Sequence, residues 1–106
     1  MPITFGPKRN IAQGSPSELS VCSVTGTLAP DATGLYFKTD DWAEHSCYRR
    51  NDSAWFIWWN QYNSTWYISA EAGSAGQYQW TSEDMANTEY APSGDSFGTA
   101  TVTKVK

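Results

Sequence analysis

The segment AWFIWWNQYNSTWYIS, residues 54–69, constrains this chain more than any other. It holds four of the six tryptophans. Trp55, Ile57 and Trp59 alternate with Phe56 and Trp58, so a strand over 54–59 carries bulky residues on both faces. The polar run NQYNS makes a hairpin loop of ordinary length. TWYIS, 65–69, then returns with Trp66 and Ile68 on one face and Tyr67 on the other. Aromatic pairs across such a hairpin contribute about 0.2–1 kcal/mol each beyond an alanine pair. The alternation predicts a core face of Trp55, Ile57, Trp59, Trp66 and Ile68. Phe56, Trp58 and Tyr67 are a surplus with three open fates: packing under a second sheet, burial in an oligomer interface, or exposure to a ligand.

The rest of the chain favours the same kind of structure. Aromatics make up 15% of residues and only three leucines occur, so the core must be built from rings. Aromatic and β-branched residues suit a pleated surface, and the plentiful Gly, Ser, Thr and Asn suit turns. A chain of 106 residues is the size of one domain. The expected fold is all-β: a single antiparallel β-sandwich or small barrel over residues 17–106, preceded by an extended arm, 1–16. Strands are predicted at 17–26, 35–39, 46–50, 54–59, 65–69, 77–82 and 97–105, the first and last pairing near each other. Residues 40–45 read as a loop or one helical turn, 70–76 as a small-residue loop, and 83–96 as an irregular acidic loop. The arm, MPITFGPKRNIAQGSP, has no sustained period, but Ile3, Phe5 and Ile11 would let it dock on a neighbour.

Charge narrows the partners. The net charge is −4 and the basic residues Lys8, Arg9, Lys38, Arg49, Arg50, Lys104 and Lys106 form no stripe, so no nucleic-acid partner is expected. No run of eighteen apolar residues exists, and no membrane insertion is expected. Lys8 and Arg9 are not followed by an apolar stretch, so no signal peptide is expected either. Cys22 and Cys47 allow one disulfide or two buried thiols; without a secretory signal the thiols are preferred.

Catalytic chemistry finds little support. His45 and Cys47 lie at i and i+2, which on a strand share a face, with Asp41 and Glu44 nearby. A nucleophile turn and a second activating histidine are missing. Asp40, Asp41 and Glu44, or Glu83 and Asp84, could in principle pair as glycosidase acids, but loop carboxylates are ordinarily solvated. The first group also lacks the spacing of a calcium loop, and no CxxC or HxxxH occurs, so no metal and no cofactor are expected. Asn51 and Asn63 match the glycosylation pattern but read as turn residues.

Aromatic display is the live functional idea. Sugar rings stack their apolar faces on Trp and Tyr, while amides and carboxylates bond the hydroxyls. The residues that could do this are Trp58, Tyr62, Tyr67, Tyr78 and Trp80, with Asn60, Gln61 and Asn63 beside them.

An ordered series of motifs carries a resemblance. Val24-x-Gly26, Gly34-x-Tyr36, Tyr48, Ile57-x-Trp59, Trp66-x-Ile68-Ser69 and Pro92-x-Gly94 follow one another over roughly residues 21–102. The series resembles a small β-rich module found, often in repeated copies, in large proteins of phages and environmental bacteria. Thr33-Gly34 stands where that module usually has Asn-Gly. The resemblance implies a non-enzymatic structural or attachment module of a phage particle or surface assembly. Its expected partners are protein subunits, a homo-oligomer among them, or glycan, at the virion or cell surface. A free-standing carbohydrate-binding protein is the alternative, and a small hydrolase the third. The arm favours a small independent subunit over one repeat among many.

Overall fold

The computed structural model of the chain describes residues 21–105. The predicted arm, 1–16, lies outside the described residues, as do 17–20 and 106. The rest forms a closed antiparallel barrel of eight strands. They are β1 (Val21–Thr25), β2 (Gly34–Lys38), β3 (Tyr48–Arg50), β4 (Phe56–Asn60), β5 (Thr65–Glu71), β6 (Ser74–Ser82), β7 (Thr88–Gly94) and β8 (Ala100–Lys104). Each pairs with its successor, and β8 closes on β1 with Val24 opposite Val102. The small barrel is thus the form taken, and first and last strands pair as expected.

The barrel is filled, not hollow, as eight strands allow. Inward positions follow the period-2 alternation: Cys22 and Val24 from β1, Tyr36 from β2, Tyr48 from β3, Ile57 from β4, Trp66 and Ile68 from β5, Trp80 from β6, Tyr90 from β7, Ala100 and Val102 from β8. Trp55 meets Trp80 edge-on at 5.7 Å, and Trp59 meets Trp66 at 5.4 Å. The polar atom of an interior ring must be bonded. Tyr36 Oη donates to the Ala32 carbonyl at 2.6 Å, Tyr90 Oη to the Met85 carbonyl at 2.6 Å, and Trp80 Nε1 to the Gly98 carbonyl at 2.9 Å. Each bond ties a loop to the barrel's filling. Cys22 lies in this interior while Cys47 sits in a separate cluster outside it, and both are free buried thiols.

Two stretches depart from the sequence expectation. Residues 83–96, expected as a loop, contain β7, whose Tyr90 is fully buried. Pro92, which lacks the ladder N–H, masks the strand in sequence; in the structure it stands opposite Trp80. Residues 70–76, expected as a loop, continue β5 and β6 to a tight turn at Ala72 and Gly73. The register shifts between Ser69 and Glu71, and beyond that irregularity Ala72 and Ala75, like Phe56, pack on the cluster of Cys47, Trp58 and Tyr67. The hairpin tip therefore bends across the outside of β4 and β5. Its small residues are there because they lie on rings.

At the barrel end formed by the 26–33 and 51–55 loops, Arg50 joins both. Its Nη1 donates to the carbonyls of Asp31 and Thr33, each at 2.9 Å, and its Nε and Nη2 grip the Asp52 carboxylate at 2.9 and 2.8 Å. The Arg50 bonds, with the Ala54 N–H, hold the Asp52 carboxyl down at about 2. A carboxyl lowered on folding stabilises the fold above its unfolded value, near 4, and loses that contribution as pH falls towards 2. Acid titration of wild type and Asp52→Asn by circular dichroism should therefore show wild type losing more stability over that window. Parallel curves would remove the pair from the acid response.

Candidate functional site

The outer aromatic surplus is mostly covered by the chain itself. Trp58 stacks on Tyr67 at 5.0 Å, with Cys47 beside them and the hairpin tip above. Trp58 Nε1 donates to Ser69 Oγ at 2.8 Å, and that hydroxyl lies within donating distance of the Ser74 carbonyl at 2.7 Å and the Glu71 carbonyl at 3.0 Å. Ser69 is fully buried and sits where the register breaks. One hydroxyl thus locks the indole to the bend of the hairpin.

One side of this cluster stays open. Trp42, Ala43, Trp58, Asn60, Gln61, Tyr62 and Gly73 line a cleft of about 240 Å³. Three separate turns supply its walls, and Trp58 is its fixed floor. Asn60 and Gln61 sit at the end of β4, where the chain turns towards β5. Asn60 Oδ1 accepts the Tyr62 N–H at 3.0 Å, which closes the turn and leaves the amide nitrogen as a donor. Tyr62 projects from this loop and is 91% exposed.

Trp42 is both exposed and held. It keeps 41% of its surface in solvent. Its N–H bonds the His45 carbonyl at 2.7 Å and its carbonyl accepts the His45 N–H at 2.9 Å. Its ring meets Trp58 edge-on at 6.3 Å and lies over Gly73, where an added Cβ would fall 2.6 Å from the indole. Only glycine admits this approach, and its φ of +90° favours glycine independently. On the other side of the turn, His45 stacks on Trp59 at 4.6 Å and meets Trp66 at 5.8 Å. The turn straddles the strand, one ring anchored on each face.

The sequence-predicted residues divide. Asn60, Gln61 and Tyr62 come together in the cleft over Trp58, which is only 3% exposed and serves as its buried floor. Tyr67 lies beneath it, its hydroxyl accepting from Asn63 Nδ2 at 2.8 Å, so both act as support. Tyr78 is at another opening, with Ala29, Pro30, Asp95 and Phe97. Trp80 is corrected: it is fully buried at the barrel centre and offers no face to a ligand, because its strand parity points inward. Trp42 was missed. The available signal was a tryptophan inside the acidic run DDWAEH, where no core period calls for one.

His45 and Cys47 do not form a pair: one packs against the rings of Trp59 and Trp66, the other belongs to the Trp58 cluster. Burial first, then the Asp41 charge, pushes the Cys47 thiol up to about 11, away from a reactive thiolate. Among the described residues, no three His, Cys, Asp or Glu side chains are placed to hold a metal.

Comparison with known proteins finds no family model, no curated protein and no solved structure that matches this chain.

The turn at the cleft rim is strained. Ala43 and Glu44 have φ of 52° and 65°, the type I′ signature that ordinarily selects Asn-Gly. Non-glycine residues there cost on the order of 1–2 kcal/mol each. The double substitution Ala43→Asn, Glu44→Gly should stabilise the domain by about 1–2 kcal/mol, read as a higher urea midpoint. An unchanged or lower midpoint would show that the turn stores no strain.

Proposed function

We propose that this barrel is a non-enzymatic attachment module of a larger assembly, and that it holds glycan in the Trp42–Tyr62 cleft. The carrying observation is Trp42 itself: a large ring left in solvent yet fixed by two backbone bonds, an edge contact and a glycine seat. A ring immobilised before binding loses little entropy on stacking with a ligand. Asn60 and Gln61 supply amide donors and acceptors beside it, the mixture that sugar hydroxyls need. The motif resemblance to a phage and bacterial module supports the attachment role.

Trp42→Ala and Tyr62→Ala should each weaken binding on a glycan array or in calorimetry by about tenfold or more, near 1.4 kcal/mol. Their circular dichroism should stay that of the wild type, since both rings lie outside the barrel filling. Retained affinity in both variants would overturn the reading.

A second reading, contact with neighbouring subunits, is favoured by a different face. Leu35 and Phe37 project outward from β2 and are 48% and 41% exposed, with Phe37 opposite Val21. Adjacent exposed apolar residues commonly mark an interface. Light scattering of wild type and the double variant Leu35→Ser, Phe37→Ser tests it. A wild-type oligomer that dissociates in the variant supports the subunit reading, and a wild-type monomer removes it.

A further inference from the structure

The lining of the cleft carries no charge, and that selects among sugars. Trp42, Ala43, Trp58, Asn60, Gln61, Tyr62 and Gly73 are all neutral. Carboxylates flank them: Asp41 precedes Trp42, Glu44 follows Ala43, and Glu71 lies two residues before Gly73. Among the described residues, no cation lines the cleft. Lys38 is paired with Asp41 at 3.4 Å. Arg50 is committed to Asp52 and two loop carbonyls at the other end of the barrel. Arg49 stands on β3 between Phe37 and Phe56, and Lys104 on β8; neither lines the cleft.

We infer that the site takes a single uncharged pyranose ring and rejects the carboxylated sugars, uronates and sialates. The inference rests on the glycan reading above and adds the ligand's class. Size argues for one ring: about 240 Å³ falls below the roughly 300–1,000 Å³ of pockets that enclose drug-sized ligands. Charge argues for neutrality. A carboxylate entering the cleft leaves water with no cation among the described lining residues to meet it, which is costly. It also approaches the turn that carries Asp41 and Glu44, each one residue from a lining residue, where like charges repel over a screening length of ~8 Å in physiological salt.

The test compares each neutral methyl glycoside with its uronate, glucoside against glucuronide and galactoside against galacturonide. The readout is the shift of the tryptophan indole N–H signals in NMR titrations of the full chain. The expected result is that a neutral sugar binds and its uronate binds at least tenfold more weakly. That gap should narrow as salt is raised, and narrow again in the double variant Asp41→Asn, Glu44→Gln, which also releases Lys38. Uronate binding as tight as the neutral sugar overturns the inference and leaves the glycan reading standing. A gap indifferent to both salt and the double variant overturns the electrostatic basis. Indole signals unmoved by every sugar overturn the glycan reading, and this inference falls with it.

Discussion

A ring that carries a hydroxyl or an indole N–H cannot be buried as a leucine can, because its polar atom must leave water with a partner in hand. This chain has few leucines and fills its barrel with such rings, so its loops are organised by what the rings require. Tyr36 fixes the 26–33 loop through Ala32, Tyr90 fixes the 83–87 loop through Met85, and Trp80 fixes the 95–99 loop through Gly98. Loops at both ends of the barrel are therefore held from inside. Ser69 extends the same logic to the outside: it satisfies Trp58 Nε1 and joins it to the backbone of the bent hairpin. The bend provides the cover that an aromatic outer face would otherwise lack.

The cleft is a by-product of that cover being incomplete. The hairpin tip reaches Trp58 and Tyr67 but stops at Gly73, and the Trp42 turn closes over it from the other direction. Between the tip, this turn and the Asn60–Tyr62 loop a cleft remains, with the buried Trp58 as its floor. The turn adopts an unfavourable backbone at Ala43 and Glu44 because both its ends are anchored, Trp42 on the outer rings and His45 on the inner ones. Local strain held by aromatic anchors at a cleft rim is the kind of arrangement that recurs where a protein positions a ligand.

Much of the barrel was legible in the sequence, and for one reason. Alternation in 54–69 separates Ile57, Trp66 and Ile68 from Trp58 and Tyr67, and the structure puts the first group inside and the second outside. Periodicity is a local signal and it served where the structure is local. It failed at β7, where Pro92 and the surrounding acids read as loop, and where the need for a strand comes from closing the sheet between β6 and β8. It failed at Trp80, because Trp80 and Tyr78 share a parity and only their height in the barrel separates a buried ring from one at the opening. The cleft was half visible, through Asn60, Gln61, Tyr62 and Trp58. Its other wall depends on Trp42 meeting Gly73, two residues far apart in the chain that no periodicity links.

Barrel closure has a mechanical consequence. The Val105 N–H bonds the Val21 carbonyl at 2.7 Å, and β1 runs antiparallel to β8, so the described chain enters and leaves at one corner. Tension applied across those two points does not slide the strands against each other with all their bonds resisting together. It peels β8 from β1 one bond at a time, starting at Val21. The seam lies four strands from the β4–β5 aromatic face by either route around the barrel. A load carried through the chain would open the molecule like a zip on its far side before it disturbed the cleft.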